Sequence, residues 1–123
     1  MNKEFVLYEE ALALKELGFN EECLGWYPSD KQLRLLRVKS KSLKDHLDEG
    51  TIFYLAPLYQ QAFRWFREKH GLHHQIGWFG ADKYLCGITP SSYTAEFETH
   101  KEAELSCLRK LIEIVNQNKE DEK

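Results

Sequence analysis

The chain has 123 residues, of which 42% are hydrophobic and 13% aromatic, and its formal net charge is −3. That size and composition suit one self-supporting domain instead of a disordered segment, and a mild negative charge argues against a globally basic nucleic-acid or anionic-membrane binder. The scattered cysteines Cys23, Cys86 and Cys107 suit reduced thiols, and no stretch reaches the roughly 20 apolar residues that cross a bilayer, so a cytoplasmic protein is expected.

The first expected helix is Tyr8–Leu17. Good helix formers fill "YEEALALKEL", Glu9 and Glu10 suit its positive end, and Gly18 is placed to cap it. Two strands follow, "CLGWY" and "LRLLRV", joined by the turn residues of "PSDKQ". In the second strand Leu33 and Leu35 are expected to face inward, with Leu36 a further candidate, while Arg34 and Arg37 point to solvent. "KSKSLKDHLDEG" reads as a loop and "TIFYL" as a short strand. Pro57 fits the first position of a helix, "PLYQQAFRWFREKH", that ends at Gly71. Leu58, Ala62 and Trp65 make one apolar row on it, and Tyr59, Phe63 and Phe66 the next.

A second hairpin is expected from "HHQIGWF" and "YLCGIT", with a turn at "PSSY" and a final strand at "TAEFE". Thr99 and Glu102 read as a capping box for the closing helix over 99–117. Residues 118–123 read as a disordered tail.

One stretch recurs. "GWYPSDKQL" at Gly25–Leu33 returns as "GWFGADKYL" at Gly77–Leu85, identical at Gly, Trp, Asp, Lys and Leu. "YEEAL" and "YQQAF" precede the two copies at similar distances, and each helix ends in Gly before its hairpin. The economical reading is a helix–hairpin unit present twice, over residues 5–38 and 56–90, plus the closing helix. The expected fold class is α+β: an antiparallel sheet of two β-hairpins with about three helices packed on it, in a single domain over 1–117.

The segments "YEEALALKELGFNEECLGWY", "APLYQQAFRWFREKHGL" and "THKEAELSCLRKLIEIV" together resemble a family of short uncharacterised proteins from Bacteroidetes phages, prophages and mobile elements. The resemblance covers both ends and the middle of the chain, and carries over no catalytic or ligand-binding residue. It implies a small accessory protein, of a kind often non-enzymatic, some of which block or bind away components of host defence.

The repeated motif supports two readings. Trp26 with Tyr27, and Trp78 with Phe79, can be aromatic platforms with Lys31 and Lys83 beside them, able to anchor a protein partner or stack a base. Alternatively, they are ordinary hairpin residues, the Asp shaping each turn and each Trp packing on a helix, as the enrichment of aromatics in strands favours. Arg64 and Arg67 flank Trp65 on the most apolar helix, where guanidinium groups and an aromatic can hold a phosphate, or simply form its wet side. His70, His73 and His74 have a spacing that a metal can use, but no paired frame supports it, and neither metal nor cofactor is expected.

Arg34, Arg37, Lys39 and Lys41 are the candidates for nucleic-acid contact. No Gly-rich phosphate loop, nucleophile elbow or zinc-protease pair is present, and Cys107 falls on a helix face expected to be buried. The expected function is therefore non-catalytic binding: of a host protein first, of a small nucleotide second, and of nucleic acid third. A homodimer is a further expectation, since exposed aromatics and a duplicated unit suit two-fold assembly.

Overall fold

The computed structural model describes residues 4–35, 50, 52–80 and 83–121. The expected loop from Lys39, and with it Leu36, Arg37, Lys39 and Lys41, lies outside them. The chain forms three helices and two three-stranded antiparallel sheets, an α+β fold. The order is α1 (Tyr8–Glu16), β1 (Gly25–Tyr27), β2 (Arg34–Leu35), β3 (Tyr54–Ala56), α2 (Tyr59–His70), β4 (His73–Trp78), β5 (Tyr84–Thr89), β6 (Thr94–Phe97) and α3 (His100–Asp121). The two hairpins do not share a sheet: β1 takes β3 as its second neighbour, whereas β5 takes β6. The residues group into two compact units, Met1–Leu58 and Tyr59–Lys123.

In the first unit, α1 ends as its sequence suggests. Gly18 has φ 100°, a conformation that costs glycine no Cβ clash. Its N–H donates to Lys15 O at 3.1 Å, and Phe19 N–H to Leu14 O at 3.0 Å. That pair of bonds is a Schellman closure, with Leu14 and Phe19 both buried at its two apolar positions. β1 is the central strand of order β2-β1-β3, with Trp26 opposite Arg34 on one side and Leu55 on the other.

Phe5 and Val6 are buried, and the Val6 N–H donates to Pro57 O at 3.0 Å. Pro57 thus sits two residues ahead of α2 and serves as a buried acceptor, not as the helix's first residue. Leu35, expected inside, is 42% exposed. β2 has only two residues and both of its positions are exposed, so alternation there does not separate a core side from a wet one.

The second unit builds its core from α2, α3 and the meander β4-β5-β6. Tyr59, Ala62, Phe63, Trp65 and Phe66 are the buried side of α2. Leu58, assigned to the same row, is 39% exposed because it precedes the helix. Along α3 the buried stripe is Ala103, Cys107, Leu108, Leu111, Ile112 and Val115, the spacing of an amphipathic helix. Thr99 Oγ1 accepts the Glu102 N–H at 3.1 Å, the N-cap half of the expected box.

α3 continues through Asp121, past the expected end at residue 117. It packs on all three strands and on α2. On the covered face of the sheet Cys86 and Ile88 are fully buried, with Ile76 opposite Cys86 and His74 opposite Ile88. Near the helix start, Lys101 Nζ pairs with the buried Glu104 at 2.9 Å and lies 4.6 Å from the centre of the Tyr59 ring.

Candidate functional site

Both copies of the motif make the same local structure and then part. In the first, Lys31 N–H donates to Pro28 O at 3.0 Å; in the second, Lys83 N–H donates to Gly80 O at 3.0 Å. These are equivalent positions, so the shared residues specify a tight turn. Beyond it the registers differ. Trp78 lies opposite Tyr84, and Phe79 N–H closes the hairpin on Lys83 O at 3.2 Å. Trp26 instead lies opposite Arg34, two residues later in motif terms.

The longer first loop is held by Asp30. Its Oδ1 accepts the Gln32 N–H at 3.0 Å and its Oδ2 the Arg34 guanidinium at 2.7 Å. The Gln32 bond, with the Arg34 charge, holds the Asp30 carboxyl below its ordinary value. The motif is therefore repeated as a turn and not as a hairpin register.

Its aromatic pairs also end in opposite places. Tyr27 is 6% exposed. Its hydroxyl donates to Val6 O at 2.7 Å, and Tyr8 meets its ring edge-on at 5.7 Å. Burial, and then the charge of Glu10, push the phenol above its ordinary value. Tyr27 is thus core and unavailable as a platform. Trp26 is half-buried, and Lys31, at φ 66°, carries its ammonium 5.3 Å from the Tyr8 ring centre.

In the second copy Trp78 is 65% exposed and Phe79 53%. Large aromatics left this open are informative where they adjoin other apolar surface. Phe79 does so here, since it shares a face with Gly77, which sits opposite the 41% exposed Leu85. Trp78 falls by alternation on the side of Ile76 and Cys86 and is exposed at the strand end.

Cross-strand pairing defines the open face of this sheet. Gln75, Gly87 and Thr94 form one row across it, and Gly77, Leu85 and Glu96 the next, since directly opposed residues share a face. Two glycines at neighbouring positions leave the face bare. A Cβ added at Gly77 would meet nothing within 4 Å, and one at Gly87 only Tyr93 O at 3.7 Å and Thr94 Cγ2 at 3.8 Å. The result is a concavity of about 550 Å³ lined by residues 74–79 with Leu85, Gly87 and Thr94. None of its lining residues is Lys, Arg, Asp or Glu.

Other candidates fall away from this site. Trp65 is 4% exposed, edge-on to Phe66 at 5.1 Å and to His70 at 4.9 Å, so it is core packing. Arg64 and Arg67 are on the exposed side of α2 and do not line the concavity. Lys83 is half-buried and contributes its backbone to the turn.

The three histidines separate. His70 packs on Trp65. His74 stacks on Phe63 at 3.9 Å with 14° between the planes, and His73 is exposed. Burial, with Lys119 near His70 and Arg67 near His74, holds both imidazoles below their ordinary value. Among the described residues no group of three or more His, Cys, Asp or Glu is placed to hold a metal ion.

Cys86 and Cys107 are buried thiols joined by a hydrogen bond between β5 and α3. The bond to Cys86 and burial hold the Cys107 thiol far above its ordinary value. Such a thiol is packing, not a nucleophile.

The sequence signal missed at the outset was the pairing of two strand glycines, Gly77 and Gly87, on one face. Isolated strand glycines mark close approach or bare backbone, but only the register shows that these two are neighbours. Among the described residues no helix is long and apolar enough to cross a membrane. Compared with protein-family models, with curated proteins and with solved structures, the chain matches none.

Proposed function

We propose that the chain is a small non-catalytic binding protein that engages a protein partner through the open face and tip of the second sheet. Trp78, Phe79 and Leu85 are the anchors in this reading. The observation that carries it is the exposure of two consecutive large aromatics, one on each side of the end of β4, both lining a concavity without Lys, Arg, Asp or Glu. Fully burying a side chain of this class stabilises a complex by about 1.5–3 kcal/mol, and aromatic anchors at the centre of a patch dominate protein interfaces. In the phage or mobile-element setting suggested by the resemblance, the partner is a host protein, with a defence component as the leading case.

The lining also ranks the alternatives. A nucleotide phosphate needs cationic or multiple N–H partners, and no Lys or Arg lines the concavity. Arg34 is already paired with Asp30. A protein surface with an apolar protrusion or an extended segment suits the site better.

The test is the double variant Trp78→Ala/Phe79→Ala, compared with wild type for thermal unfolding and for capture of a host protein. The expected result is unchanged unfolding and lost capture. Capture that survives the double variant sinks the reading. A double variant that fails to fold contradicts the exposure on which the reading rests.

A further inference from the structure

The open side of β4 carries a second message, independent of the aromatic face. β4 is an edge strand: in the order β4-β5-β6, β5 covers one side, and among the described residues no strand pairs with the other. Which backbone groups point outward follows from the ladder. Phe79 N–H bonds to Lys83 O, so Phe79 opposite Lys83 is a hydrogen-bonded position. Antiparallel pairs alternate between bonded and non-bonded positions. The bonded positions toward β5 are therefore Gly77, Gln75 and His73, opposite Leu85, Gly87 and Thr89.

Trp78, Ile76 and His74 direct their N–H and C=O away from β5. The neighbouring ladder agrees: Ile88, opposite His74, sends its own N–H to the far side, to Tyr93 O at 3.2 Å. The concavity reaches this edge, since His74, Ile76 and Trp78 all line it.

Edge strands in soluble proteins are commonly protected by charge, proline or bulges. This one has none of the first two. From His73 to Gly80 the sequence is HHQIGWFG, without Lys, Arg, Asp, Glu or Pro. The pattern is also its own complement. His74, Ile76 and Trp78 are evenly spaced about Ile76, so a two-fold axis there places Ile76 opposite Ile76 of a second copy and His74 opposite its Trp78. Every outward N–H and C=O of the three then finds a partner. Gln75 comes opposite the partner's Gly77, where no side chain competes for space, and the exposed Trp78 ring gains a neighbour across the junction. No like charges meet, because the strand has none. Any extended strand can make these main-chain bonds; a second copy is favoured because it brings neither charge nor proline to the junction and sets Gly77 against Gln75.

We propose that the protein self-associates through β4, pairing antiparallel with β4 of a second copy about Ile76, so that the two three-stranded sheets become one. The open concavity of each copy then lies beside this junction, and the surface offered to a third protein is shared by both.

The test uses the full chain alone. Sedimentation or native mass spectrometry over a concentration series should show a monomer–dimer equilibrium. Amide exchange at Ile76 and Trp78 should be about tenfold slower or more at dimer-rich than at monomer-rich concentration, as for any newly bonded backbone, with Gln75 and Gly77 much less affected.

Ile76→Pro removes one outward N–H without touching a bond to β5, and should give a folded monomer. A wild-type protein that stays monomeric at the highest concentration overturns the proposal. So does a dimer whose Ile76 and Trp78 amides exchange as fast as in the monomer, and that reading stands even if Ile76→Pro does not fold. A folded Ile76→Pro that still dimerises overturns it too.

Discussion

The two copies of one nine-residue motif differ in what their neighbours do with them. Gly25 and Gly77 occupy the same motif position. A Cβ at Gly25 would lie 2.8 Å and 2.9 Å from the Phe5 ring and 3.0 Å from Ala56 O, whereas at Gly77 it would meet nothing within 4 Å. Tyr27 and Phe79 are likewise equivalent, yet one is a buried donor to Val6 O and the other is exposed.

The cause is pairing. β1 lies between two strands and beneath the N-terminal Phe5–Val6 segment; β4 is an edge. Local sequence therefore specifies the turn, and the presence or absence of a second neighbour decides whether the same aromatic is core or surface. That division of roles is the basis for proposing a binding role for the second copy alone.

The comparison can be broken most forcefully at the aromatic pair. Tyr27→Ala should lower stability by about 3–5 kcal/mol, as large-to-small core changes do. Phe79→Ala should stay within about 0.5 kcal/mol, the range of surface substitutions. Urea denaturation reads both, and equal losses would contradict the contrast. Next come the glycines. Gly25→Ala should cost about 1–3 kcal/mol from overpacking against Phe5 and the Ala56 carbonyl. Gly77→Ala should be neutral or stabilise by up to about 1 kcal/mol through the lost unfolded-chain freedom. The sign difference in midpoint is the readout.

The smallest effect is on pH dependence in the second unit. Burial, with the Arg67 charge, holds His74 below its ordinary value of 6.5. Between the lowered folded value and 6.5 the unfolded chain binds the extra proton, so stability falls as pH drops through that window and levels off below it. His74→Phe, which keeps a ring against Phe63, should flatten that slope in thermal melts between pH 7 and 5. A slope left unchanged would place the titration elsewhere, with His70 the next group to test.

Much of the secondary structure was legible. The apolar rows of α2 (Leu58 apart) and α3, the glycines closing α1 and α2, the Thr99 cap and the β4–β5 hairpin all rest on local chemistry, and all appear in the structure. The pairing between distant segments was not. Nothing within Gly25–Tyr27 announces that Tyr54–Ala56 will join it, so the division into two sheets was invisible, and with it the burial of Tyr27.

Trp65 was a different case. Its place in an apolar row with Ala62 already spoke for the core, and the flanking arginines were the wet side of the helix. The site itself was half legible. Trp78 and Phe79 stood out by repetition, but the bare face around them depends on Gly77 and Gly87 falling in adjacent rows, which only the register of β4 on β5 provides.

The most direct test of the contrast uses 5-fluorotryptophan incorporated at all three positions. The fluorine spectrum is compared in H2O and D2O, each line assigned by single Trp→Phe variants. The account predicts the largest solvent shift at Trp78, an intermediate one at Trp26 and almost none at Trp65. A Trp26 line as exposed as that of Trp78, or a Trp78 line as silent as that of Trp65, would contradict it, because the two motif copies would then no longer differ in the property that assigns binding to one of them.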